Sequence, residues 1–413
     1  MKVDLLFKNA RQLISPVAHS SGMSKLKVIE NAAIGCFEGK ITAIGPTDKV
    51  EQEIELISDA NVIDVTNKLI SPAFVDPHTH PVFWGTRENE FVMRIQGKSY
   101  QEISKAGGGI RFSVRHLRKA SEDQLIEAAL PHLNHFLKNG TTTIEAKSGY
   151  GLSFKDEMKS LRVLKQLNQM HPIEIIPTFL GAHEIPDEYR ENREAYINVL
   201  INEMIPQVAE EELAEFCDVF CEEHVFNVDE SRRILEAAKN AGLKLKIHAD
   251  QLTAGGGSEL AAEVDAISAD HLDHISHKAM ELLKQHGVTP VLLPGAVFYL
   301  GLNRYAPARK MIESGLSVAL ATDFNPGSCM TQSMPIILTI ACIYMKMLPQ
   351  EALIAATLNA ARAINRDQSI GSLEVGKDAD FIILNIPNID YLPYHFGVNH
   401  VDKVVKKGVL VIG

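Results

Sequence analysis

The sequence predicts an α/β protein: a TIM-like (β/α)8 barrel carrying a small β-sandwich domain built from both ends of the chain. Three observations lead there. Apolar strand-like runs alternate with helical patterns through the middle of the chain, the mark of a parallel sheet with crossover helices. Those runs number eight. Short β-like runs without helices between them occupy both termini, and such segments most simply pair into one domain. The expected division is 1–70 with 373–413 for the β domain and 71–372 for the barrel.

In chain order, the N-terminal runs are 3–7, 32–38, 41–45 and 62–65, punctuated by turn residues such as Glu38-Gly39-Lys40. Barrel strands are expected over 73–80, 142–147, 174–181, 218–224, 244–248, 266–271, 289–293 and 317–322. Helical patterns over 156–170, 229–241 and 277–286 separate some of them. A long insertion, 82–140, follows the first strand and carries Gly107-Gly108-Gly109. That run reads equally as a mobile lid or as a tight turn before a helix over 111–118. After the turn-rich stretch 371–378, strand-like runs over 380–384 and 401–411 complete the β domain.

At 413 residues, 46% hydrophobic and 23% charged, the chain suffices for a large core with a smaller appendage. A formal net charge of -11 argues against nucleic acid or an anionic membrane as partner, since both reward Lys/Arg patches. Any anionic substrate must be met by local arginines. No apolar run reaches the roughly 20 residues of a membrane helix, and the N-terminus lacks a secretory pattern, so a cytoplasmic location is expected. Five scattered cysteines suit a reducing compartment better than a disulfide framework.

The chemistry sits at the strand ends. In Phe74-Val75-Asp76-Pro77-His78-Thr79-His80, positions i and i+2 of an extended strand face one side, so His78 and His80 can grip one ion. Strand five ends in His248-Ala249-Asp250, strand six in Asp270-His271 and strand eight in Thr322-Asp323. His78, His80, His248 and Asp323 would make a mononuclear hydrolytic site with a place left for water. His132, His135, His171, His277 and His286 fall on helical segments and read as surface or core residues. Cys217, Cys221 and His224 lack a second cysteine pair and read as strand residues, and Gly255-Gly256-Gly257 lacks the Lys-Ser/Thr of a phosphate loop.

This arrangement of an N-terminal β segment, Phe-Val-Asp-Pro-His-Thr-His and strand-end histidines and aspartate resembles the amidohydrolase superfamily. The fourth strand holds no lysine of the kind that bridges two metals in binuclear members, so the resemblance implies one divalent or trivalent ion per chain, zinc or iron. Further blocks are similar to one branch of that superfamily over essentially the whole length: Trp84-Gly-Thr-Arg-Glu-Asn89, Glu145-Ala-Lys-Ser-Gly-Tyr-Gly151, Phe179-Leu-Gly-Ala-His183, Ile247-His-Ala-Asp-Gln-Leu252, Ser268-Ala-Asp-His-Leu272 and Ala321-Thr-Asp-Phe-Asn-Pro-Gly-Ser328. The branch opens the ring of 4-imidazolone-5-propanoate by hydrolysis in histidine degradation. What this resemblance implies is a small, anionic heterocyclic substrate, with Arg87 receiving its carboxylate through a bidentate guanidinium. Tyr150 and His183 would hydrogen-bond the tail or ring, Asn325, Gly327 and Ser328 would add side-chain and backbone donors, and Gln251 would orient the ring. Gln251 stands where some relatives carry an acid. Asp323 and His271 are both candidates to take the proton of the attacking water. Family members are often dimers, so a homodimer is a compatible assembly. The rival readings are a deaminase of an amino-heterocycle and a non-catalytic scaffold on the same fold.

Overall fold

The computed structural model describes residues 1–17, 23, 25–98, 102–103 and 107–413. Part of the expected insertion, residues 99–101 and 104–106, lies outside them. The N-terminal strands are β1 (Lys2–Val17), β2 (Lys25–Phe37), β3 (Lys40–Pro46), β4 (Glu55–Asp64) and β5 (Leu69–Pro72). The barrel follows with β6 (Phe74–Thr79), β7 (Thr141–Lys147), β8 (Glu174–Ala182), β9 (Phe216–Cys221), β10 (Lys244–Ala249), β11 (Ser268–His271), β12 (Thr289–Leu292) and β13 (Ala319–Leu320). The C-terminus adds β14 (Phe381–Leu384), β15 (Val401–Lys406) and β16 (Val409–Ile412).

The terminal strands form one continuous mixed sheet, in the order β16-β15-β14-β5-β1-β2-β3, with β4 also paired to β1. This is the small β domain expected from both ends of the chain. Its centre is β1, whose 16 residues pair in turn with β2, β4 and β5. Antiparallel pairing of β14 with β5 brings the C-terminus in. The sheet buries a cluster of its own, in which the Phe7 and Phe381 rings meet at 5.2 Å. The run over 401–411 is a hairpin, β15 and β16, rather than one strand.

The second sheet runs β6 to β13 in sequence order, parallel at each step. It closes through side chain and backbone together. Asp323 N donates to His78 O, His80 N donates to Phe324 O, and the buried Asp76 carboxylate accepts from Thr322 N and Thr322 Oγ1. Burial pushes the Asp76 carboxyl up to about 7 despite those donors. Each barrel strand is buried on both faces, with helices covering the outside and side chains, several of them charged, filling the inside. The fourth strand ends at Cys221, short of the expected 224. The chain leaves the sheet there because the Glu222 carboxylate turns to accept from Leu252 N and Thr253 Oγ1. No described helix is long and apolar enough to cross a membrane.

The 82–140 insertion holds helices over Glu88–Ile95, Ile110–Lys119 and Glu122–Lys138. Gly109 is the N-terminal flank of the second helix, with φ 78°, so this part of the glycine run is a turn into a helix.

Candidate active site

The strand ends deliver five polar side chains to one place. His78, His80, His248, His271 and Asp323 are all buried. Ligand-type atoms of His78, His80 and Asp323 lie within 4.8 Å of one another, as do those of His78, His248 and His271, so His78 belongs to both groups. His78 Nε2 and His80 Nε2 are 3.3 Å apart, and Asp323 Oδ1 lies 3.6 and 3.7 Å from them. Ligands bonded at about 2.1 Å to a tetrahedral ion stand about 3.4 Å from each other, which is the size of this triangle.

The ring nitrogens support the same fit. The Nδ1 atoms of His80, His248 and His271 are buried without a hydrogen-bond partner, which is unfavourable unless something else engages the ring. Burial pushes the His78, His80 and His271 imidazoles well below their usual range, leaving neutral rings with a lone pair to give. His271 and Asp323 adopt φ of 77° and 55°, a left-handed conformation costing non-glycine residues roughly 1–3 kcal/mol and found most often at functional sites.

Under these rings lies a set of carboxylates and lysines. His78 Nδ1 donates to Asp270 Oδ2 at 2.6 Å, which leaves Nε2 as the free nitrogen. His248 Nδ1 stands 3.0 Å from Asp218 Oδ2. Lys147 Nζ is 2.8 Å from both Asp218 Oδ2 and Glu145 Oε1, and 3.9 Å from Asp270 Oδ2. Burial alone would lower the Lys147 pKa, but Asp218, Glu145 and Asp270 outweigh it and hold the ammonium charged. Sequence reasoning gave none of Asp218, Asp270, Glu145 or Lys246 a role. A signal existed: charged residues at alternate positions inside apolar parallel strands must find partners in the barrel.

Around the cluster, Tyr150 is buried and its hydroxyl pushed up, so it stays protonated. His183 stacks on His80 at 5.3 Å and gives its Nδ1–H to Gly149 O, leaving Nε2 as an acceptor. Burial, then the nearby His248, lower its pKa to about 3.

Arg87 departs from expectation. Its Nε and Nη2 edge is already engaged bidentately by Glu90, at 3.0 and 2.7 Å, and its Nη1 faces Gly327. A Cβ at Gly327 would meet Nη1, so only glycine lets the guanidinium sit there. Glu90 also accepts from Gly109 N and was not foreseen, although Arg87 and Glu90 have the i,i+3 spacing of a helical ion pair. The backbone donors expected of Gly327 and Ser328 are turned inward as well. Both amides donate to Asn325 Oδ1, and Asn325 Nδ2 donates to Asp323 O and Ser328 Oγ, so Asn325 shapes the loop that presents Asp323.

Gln251 is half-buried on the loop after β10 and makes no hydrogen bond to the histidine cluster. Asp250 turns away at φ 49° and accepts from Gly256 N, Gly257 N and Ser258 Oγ, which occupies the amides a phosphate would need. Cys217 and Cys221 are buried strand thiols.

With this geometry established, comparison with known proteins gives a consistent result. The amidohydrolase family model matches residues 69–411. An imidazolonepropionase of Alkaliphilus metalliredigens is 47% identical, covering 100% of this chain and 99% of that protein. One from Thermoanaerobacter pseudethanolicus is 49% identical, covering 100% of both. Among solved structures, an adenosine deaminase from Xanthomonas campestris with bound zinc superposes with a TM-score of 0.74 at 19% identity, covering 100% of this chain and 93% of that one. That last likeness shows the fold alone.

Proposed function

Since the chain belongs to the amidohydrolase family, in its imidazolonepropionase branch, we propose how its residues open the ring of 4-imidazolone-5-propanoate to give N-formimidoyl-L-glutamate. The protein is a hydrolytic enzyme. Deaminase relatives are distant in sequence, so the deaminase reading is not favoured. The observation that carries the mechanism is the meeting of His78, His80 and Asp323 in a triangle of metal-site size, with His248 and His271 in a second group that shares His78.

His78, His80, His248 and Asp323 would hold one zinc or iron ion; three imidazoles and a carboxylate suit both. Such an ion supplies Lewis-acid activation of water and of a carbonyl oxygen at neutral pH. His183 Nε2, an acceptor, receives a ring N–H of the substrate, and the Tyr150 hydroxyl donates to its oxygen or tail. Arg87 meets the propanoate through Nη1, the edge that Glu90 leaves open. Gln251 orients the ring from the loop after β10. Water adds to the ring carbonyl carbon, and its proton passes to Asp323 or to His271. The C–N bond then breaks and the same group returns the proton to the departing nitrogen. Asp323 as a carboxylate and His271 as a neutral imidazole each carry a lone pair that can take that proton, and both are buried at the cluster.

The test is turnover of freshly generated 4-imidazolone-5-propanoate by His271→Ala protein of known metal content. Loss of turnover with metal retained supports a proton-transfer role for His271. Full turnover assigns the proton to Asp323.

A further inference from the structure

Lys147 is fully buried inside the barrel and the proposed reaction does not use it. Its ammonium stands among carboxylates from three strands: Glu145 on its own β7, Asp218 on β9 and Asp270 on β11. Two of these carboxylates are the groups behind candidate metal-binding rings. Asp218 Oδ2 lies 2.8 Å from Lys147 Nζ and 3.0 Å from His248 Nδ1. Asp270 Oδ2 lies 3.9 Å from Lys147 Nζ and 2.6 Å from His78 Nδ1. In each case one and the same oxygen faces the lysine on one side and the imidazole on the other. Asp270 is fixed from two further directions, by Ser268 Oγ donating to Oδ1 at 2.6 Å and by Lys246 Nζ at 3.7 Å from Oδ2.

An imidazole ligand is oriented by what its second nitrogen binds, and a carboxylate there fixes both tautomer and ring plane. The Lys147 ammonium lies against both carboxylates, with Lys246 as a second cation on Asp270 Oδ2. We propose that Lys147 is a positioning residue that aims His248 and His78 together at one ion, by holding Asp218 and Asp270 in register across β7, β9 and β11. The inference rests on the metal-site reading given above. It assigns to the lysine of the second barrel strand a task distinct from bridging metals: its Nζ points into the carboxylates beneath the histidines. A lysine serving only to neutralise buried charge would affect folding stability and leave the ion's affinity and ligand field as they are.

The experiment compares wild-type protein with Lys147→Met, Asp270→Asn and the double variant. Zinc affinity is read by competition with a chromophoric chelator, and the cobalt-substituted forms by their visible spectra. Disturbing a group that orients a metal ligand typically weakens metal binding about 10–100-fold. The expected result is a loss of that size in each single variant, a double variant little weaker than the weaker single, and altered cobalt bands in Lys147→Met. Should Lys147→Met not fold, Glu145→Gln/Lys147→Met removes one charge of each sign and is expected to fold with the same loss. Zinc affinity within twofold of wild type in either lysine variant, or losses that simply add, would overturn the proposal. Failure of the wild-type protein itself to bind zinc or cobalt would overturn the metal-site reading and this inference with it.

Discussion

Two buried lysine–carboxylate clusters in this molecule look alike in composition and differ in completeness. In the junction between terminal sheet and barrel, Lys406 Nζ reaches Asp380 Oδ2 at 2.6 Å, Glu174 Oε2 at 3.0 Å and Thr143 Oγ1 at 3.2 Å. Asp380 Oδ1 accepts from Lys407 N, so both of its oxygens are engaged. In the barrel interior, Lys147 has three carboxylate neighbours to the two of Lys406, yet Glu145 Oε2 and the Nδ1 atoms of His80 and His271 are left without a hydrogen-bond partner. The first cluster ties β15 to β8 and is closed. The second opens onto strained strand ends and still has bonds to make. Unsatisfied buried groups, rather than buried charge as such, separate the reactive cluster from the structural one.

Breaking the two clusters should have opposite consequences. The largest effect is expected from Asp323→Ala, which removes a metal-site group: turnover should fall by on the order of 10³-fold or more, in a protein whose far-UV circular dichroism is unchanged. Retention of both metal and turnover would remove Asp323 from the site.

Lys406→Met should leave Asp380 buried without its cation, at a cost of about 3–5 kcal/mol in unfolding free energy by denaturant titration. Metal content and kcat/KM of the folded fraction should match wild type. A change in metal affinity would dissolve the distinction between the clusters.

Arg87→Met sharpens the comparison at the rim of the site. A hydrogen bond to a charged group is worth about 1.5–3 kcal/mol, so KM should rise roughly tenfold to a hundredfold while kcat and bound metal change little. An unchanged KM would move the propanoate elsewhere.

The residues that were legible in the sequence share a cause. His78, His80, His248, His271 and Asp323 stand at the ends of strands whose apolar runs and spacing are local signals, and a barrel puts such ends together. Nothing local in the sequence marks out Lys147. Its partners Asp218 and Asp270 come from strands far along the chain, and no local pattern announces which carboxylate an interior lysine will meet. Arg87 was read as a free bidentate fork because the sequence does not say that the helix beginning at Glu88 turns Glu90 back onto it. The inward turn of the Gly327 and Ser328 amides is likewise decided by Asn325, a side chain two or three residues away whose preference for its own loop outweighs presentation to a ligand. In the terminal sheet, β1 and β2 extend well past the expected runs, as a long paired hairpin with a register shift between Phe7 and Ala10 that interrupts the alternation.

The central claim is that the strand-end cluster holds one metal ion and uses it to open an imidazolone ring. The most direct measurement follows loss of the imidazolone ultraviolet band on adding 4-imidazolone-5-propanoate to protein of assayed metal content, with the product identified by mass. The account predicts close to one zinc or iron per chain, formation of N-formimidoyl-L-glutamate, abolition of turnover by chelator and its return with metal. Turnover that persists undiminished after the metal has been stripped to below about a tenth per chain would contradict it.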